Sequence, residues 1–187
     1  MAEYIRLQLQ QMMAKEHVQQ IDILTTHERI VDDVDENNKY ISFYPVYSIR
    51  AACGYFGHME PTDHIGWMKV EGMGKRDRNK FIVQAIGHSM EPRINDGDYC
   101  LFQRYQGGSR ESKIVLAEHH GHADTEYEGS YSIKKYHSTK RYNEFGEWEH
   151  ESVELHPLNR AYDPIILSPD EIEDFCIIGE FVKVVNN

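Results

Sequence analysis

No run in the 187-residue sequence approaches the roughly 18–20 apolar residues that span a bilayer, so a membrane helix is not expected. The N-terminus has no basic start followed by an apolar stretch, and Glu3 arrives at once, so no secretory signal is expected. Cysteine is scarce. Cys53, Cys100 and Cys176 are widely spaced, form no CxxC pair and suggest no disulfide framework, which fits a reducing cytoplasm. Each reads first as a small buried hydrophobe. Positive charge is also short, with 20 Lys+Arg against 31 Asp+Glu and a net charge of −11. That argues against a protein whose main task is to wrap nucleic acid. What remains is 40% hydrophobic and 27% charged, suited to one soluble globular domain with an added arm.

The first 40 residues differ in kind from the rest. Residues 3–20 are rich in Gln, Met, Leu and Ala without Gly or Pro, which predicts a helix with Ile5, Leu9, Met12 and Met13 on one stripe. Residues 26–38 turn acidic through Glu28, Asp32, Asp33, Asp35 and Glu36, and Asn37-Asn38 reads as a break. Residues 1–40 are therefore expected to be a helical arm and acidic linker. Residues 41–187 are expected to form a mainly β, barrel-like domain of many short strands. The candidates are 40–44, 46–49, 67–70, 80–85, 98–103, 113–119, 129–137, 148–155, 165–167 and 175–185, separated by Gly-rich or Asx-rich turns.

One turn stands out chemically. Gly87-His88-Ser89-Met90-Glu91-Pro92 follows an apolar strand and precedes the turn signal Asn95-Asp96-Gly97-Asp98. A serine on such a junction can present its hydroxyl to a cleft into which neighbouring backbone N–H groups also point. It is a poor nucleophile unless a base takes its proton, and most serines near turns only bond the local backbone. Ser130-Tyr131-Ser132-Ile133-Lys134-Lys135-Tyr136 reads as a strand, so Lys134 and Lys135 point to opposite faces and one of them can face inward. An inward lysine loses solvation of its ammonium and can serve as a general base; two solvated edge-strand lysines are the plainer alternative.

These segments, taken with Val153-Glu154-Leu155-His156-Pro157-Leu158-Asn159 and Tyr162-Asp163-Pro164-Ile165, resemble the LexA-type Ser-Lys peptidase domain over roughly residues 44–185. That family includes SOS repressors, phage repressors and UmuD-type polymerase accessory subunits. The resemblance implies a LexA-like β domain in which Ser89 is the nucleophile, Lys134 the general base, and the backbone N–H groups of His88 and Ser89 the oxyanion donors. It implies self-cleavage in Arg50-Ala51-Ala52-Cys53-Gly54-Tyr55, within a loop at about 50–57, at the Cys53–Gly54 bond. Small residues there suit a narrow site, and Gly54 allows close backbone approach. No cofactor and no metal are called for. Ile177-Ile178-Gly179-Glu180-Phe181-Val182 is similar to the C-terminal strand that contributes to homodimerisation in the family.

The expected partners are the chain's own cleavage loop, or that of a dimer mate, and a helicase, polymerase or recombinase filament. The stretch from Tyr44 to Gly57 is similar to peptidase modules joined to bacterial helicase or restriction-type proteins, which implies a regulatory switch in the DNA damage response or phage defence. No helix-turn-helix is legible before the loop, so sequence-specific DNA binding is disfavoured. The alternatives are a non-cleaving dimeric sensor or adaptor and a transcriptional regulator.

Other signals weigh less. His119, His120, His122, Asp124 and His137 have the chemistry for zinc but are expected on a solvated hairpin tip. Gly72-Met73-Gly74-Lys75-Arg76 lacks the full phosphate-loop pattern, and Lys75, Arg76, Arg78 and Lys80 read as solvated surface. Trp67 and Trp148 are expected in the core or an interface.

Overall fold

The computed structural model describes residues 29–48, 64–119, 131–142, 144–173 and 175–185. The expected helical arm at 3–20 and the expected cleavage loop at 50–57 lie outside these residues. The protein is mainly β. Its strands are β1 (Ile30–Val31), β2 (Phe43–Tyr47), β3 (Gly66–Lys69), β4 (Lys80–Gln84) and β5 (Tyr99–Arg104), then β6 (Ile114–His119), β7 (Tyr131–Tyr142), β8 (Trp148–His156), β9 (Ile165–Leu167) and β10 (Phe175–Val184). Among the described residues one short helix, α1 (Pro169–Ile172), starts at a capping box formed by Ser168 and Glu171. No helix among the described residues is long and apolar enough to cross a membrane.

All ten strands join one open sheet in the order β1-β3-β2-β4-β5-β10-β6-β7-β8-β9. Among the described strands β2 and β4 pair in parallel, and the other neighbours are antiparallel. Much of the sheet is covered on both faces, which is why the central strands read as continuous apolar runs rather than alternating ones. In β4 and β5, Phe81, Val83, Cys100 and Phe102 enter one core cluster, whereas Ile82 and Leu101 enter another. In β6, Ile114 and Leu116 join the first cluster, while Val115 and Ala117 pack with Leu155 and Leu167 in a third. Pro45 is tolerated within β2 because two-residue alternation turns its missing N–H toward β4, ahead of the first β2–β4 pair at Val46.

β10 lies in the middle of the sheet, hydrogen-bonded to β5 on one side and β6 on the other. Its backbone is therefore paired on both sides, and the strand shows the surface side chains such as the 40% exposed Val182. Cys100 is fully buried in the first cluster, and burial pushes its thiol up to about 12, which makes it a core residue rather than a nucleophile.

Residues 29–40, which include much of the acidic stretch, are tied to the sheet. β1 pairs with β3 through Ile30 opposite Met68 and Val31 opposite Trp67, and Arg76 Nη2 donates to the Glu36 carbonyl at 2.8 Å. The docking depends on Gly66, where an added Cβ would meet Ile30 Cγ2 at 2.5 Å and the Val31 carbonyl oxygen at 2.8 Å. Gly66→Val is expected to lift β1 from the edge at a cost of about 1–3 kcal/mol. Hydrogen exchange checks it: the Ile30 and Val31 amides should lose protection while β2–β3 amides keep theirs, and unchanged protection would count against the account.

Candidate active site

The loop from β4 to β5 is built to hold a fixed shape. Ala85 and Gly97 close its neck through Ala85 N–H to Asp98 O at 2.8 Å and Gly97 N–H to Ala85 O at 2.9 Å. Gly87 has φ 88°, a conformation that suits glycine, and its N–H donates to Asp96 Oδ1 at 2.8 Å. Asp98 Oδ2 accepts from the Asn95 N–H at 2.8 Å. The Asn-Asp-Gly-Asp signal thus acts through side-chain bonds to the local backbone. Met90 and Ile94, 4% and 1% exposed, anchor the turn in the first core cluster. Ser89, between His88 and Met90, is held at the rim of that core and is 6% exposed.

β7 supplies the second group. It pairs with β6, with Lys134 opposite Val115 and Ile133 opposite Leu116. Two-residue alternation puts Lys134 on the side of Ser132 and Tyr136, and all three are buried. Lys134 is 3% exposed, and its Nζ donates to Ser89 Oγ at 2.9 Å, joining residues 45 positions apart. Lys135 is half-buried on the other side. A hydroxyl and an amine at this distance can exchange a proton directly.

Behind the turn, the segment after β8 grips the nucleophile loop. Leu158 and Asn159 N–H groups donate to the Ser89 carbonyl at 3.0 and 2.9 Å, and Asn159 Nδ2 donates to the His88 carbonyl at 3.0 Å. Asn159 is legible as part of a motif, yet nothing in the sequence alone shows what its side chain grips. His88 itself turns outward, its Nδ1 2.8 Å from Glu91 Oε1.

Of the residues singled out from the sequence, Ser89, Lys134 and the His88 backbone are brought together, whereas Cys53 and Gly54 lie outside the described residues. So do His120, His122 and Asp124 of the histidine-rich stretch. His137 sits in β7 with its Nδ1 against Glu111 Oε1 and its ring edge-on to His156 at 5.0 Å. Among the described residues no group of three or more His, Cys, Asp or Glu is arranged to hold a metal ion. Trp67 is buried at β3 and receives the Tyr40 ring edge-on at 5.1 Å.

A family model described as Peptidase S24-like matches residues 45–182, well over half of the chain. The match takes in β4, the Ser89 turn, β7 with Lys134 and the Asn159 segment. No curated protein matches the chain.

Proposed function

Because the chain belongs to the Peptidase S24-like family, we propose that it is a serine endopeptidase that cuts its own Cys53–Gly54 bond with a Ser89–Lys134 dyad. The observation that carries this is the 2.9 Å contact between two buried side chains, Lys134 Nζ and Ser89 Oγ. A buried lysine against a hydroxyl adds little that an apolar side chain could not supply to folding, whereas it is what a nucleophile without a histidine requires.

The reaction divides into two displacements. Ser89 Oγ attacks the Cys53 carbonyl carbon while the neutral Lys134 amine takes the Oγ proton. The oxyanion that forms lies against the N–H groups of His88 and Ser89. Collapse breaks the C–N bond, and the Lys134 ammonium gives its proton to the departing Gly54 amine. Water then attacks the Ser89 ester, Lys134 takes its proton and returns it to Ser89 Oγ as the ester C–O bond breaks, and the released Cys53 acid ionises to its carboxylate. The cut separates the segment ending at Cys53 from the domain that carries the site. Such a cut serves as a regulatory switch, in the DNA damage response or phage defence.

Only an unprotonated amine can act as base, so cleavage is expected to be faster in alkaline than in neutral solution. The test is incubation of the purified chain between pH 7 and 10 with mass measurement of fragments 1–53 and 54–187. A folded chain that stays intact at pH 10 sinks the proposal and favours a non-cleaving adaptor.

A further inference from the structure

The residue that holds the nucleophile turn from outside is Asn159, and its side chain is fixed at both ends. Nδ2 donates to the His88 carbonyl at 3.0 Å across 71 positions of sequence, and Oδ1 accepts from the Ala161 N–H at 3.0 Å. The carbonyl of His88 and the N–H of Ser89 belong to one peptide unit. Among the described residues the Glu91–Pro92 bond is the cis peptide, so the 88–89 unit is trans, with its C=O and N–H pointing opposite ways. Gripping the carbonyl therefore aims the Ser89 N–H. A hydrogen bond accepted by that carbonyl also polarises the unit and strengthens its N–H as a donor. Glu91 N–H reaches the same carbonyl at 3.2 Å, but it belongs to the turn and moves with it. Asn159 ties the peptide to the segment leaving β8 instead.

We infer that Asn159 is a positioning residue that sets the oxyanion hole by orienting the 88–89 peptide. The inference rests on the Ser–Lys reading of the site. Deleting a single oxyanion donor in a hydrolase costs about 10²–10³ in rate; loosening one is expected to cost about tenfold or more. Asn159→Ala removes both side-chain bonds. Asn159→Asp keeps an acceptor for Ala161 but sets a carboxylate oxygen against the His88 carbonyl, so it breaks the same grip and carries the rate comparison should the Ala variant fail to fold.

The probe is a fluorophosphonate, which does not depend on the cleavage loop. Ser89 Oγ forms a bond to phosphorus, the P–F bond breaks, fluoride leaves, the Oγ proton passes to Lys134, and the phosphoryl oxygen occupies the oxyanion position. Labelling of the full chain is followed from pH 6 to 10 alongside thermal melting. The expected result is wild-type labelling at Ser89 and folded variants labelled about tenfold or more slowly, with the neutral Asn159→Ala variant keeping the wild-type pH profile because it leaves the base untouched. Variant labelling at the wild-type rate overturns the inference, and so does a loss in Asn159→Ala accompanied by a displaced pH profile, since Asn159 would then act on the base. A folded wild-type chain that is not labelled overturns the Ser–Lys reading itself, and is told apart because the failure precedes any substitution.

Discussion

Ser89→Ala is expected to leave the chain intact under alkaline conditions that cut the wild-type protein, a loss of at least about 10⁴-fold in rate. The change removes one oxygen from a side chain that is 6% exposed and hydrogen-bonded to Lys134. The turn is held chiefly by other atoms. The grip of Leu158 and Asn159 is on the Ser89 carbonyl, and the anchors are Met90 and Ile94. The variant should therefore fold, with a cost of about 1–3 kcal/mol for taking an acceptor from a buried donor. In a chain of this size that lowers the melting temperature by about 2–12 °C. Mass spectrometry over the same time course as the wild type checks both halves. Fragments 1–53 and 54–187 appearing at the wild-type rate would assign the cut to another nucleophile or a contaminating protease.

The parts of this fold that were legible in the sequence are those where local chemistry and packing agree. β4, β5 and β6 announce themselves as β-branched and aromatic runs bounded by turns, and the sheet buries them on both faces. The Ser89 turn was legible because the Asn95-Asp96-Gly97-Asp98 signal bonds its own backbone. β7 runs on to Tyr142, beyond the expected end at residue 137, because Ser138, Thr139, Lys140 and Arg141 keep a strand by pairing with β8 while their side chains stay on the surface.

Three features depended on contacts that no local window contains. β1 is two apolar residues in an acidic stretch, made into a strand by the bare surface at Gly66. Which of Lys134 and Lys135 faces inward was left open by alternation and is decided by the pairing with β6, which turns Lys134 toward Ser89. The grip of Asn159 on His88 joins residues 71 positions apart. Short-range signals thus expose the nucleophile, and long-range pairing assembles what surrounds it.

Lys134→Met should abolish cleavage as fully as the serine change while leaving the fold equally or more stable. Methionine is close to lysine in length, carries no charge to bury, and adapts to irregular apolar space. At a position 3% exposed it removes the desolvation cost of an amine, and gains of about 1 kcal/mol are common when a functional polar group in a core gives way to an apolar one. Loss of activity with retained or raised melting temperature is the signature of a residue kept for chemistry at the expense of stability. Lys134→Arg separates the two roles a lysine can have at 2.9 Å from Ser89 Oγ. The guanidinium still donates a hydrogen bond and still carries charge, but it does not deprotonate, so it can orient Ser89 and cannot take its proton. Both variants should be uncut at every pH at which the wild type is cut, with fragments 1–53 and 54–187 absent. Wild-type cleavage by the arginine variant would reduce Lys134 to a hydrogen-bond donor and move the general base elsewhere.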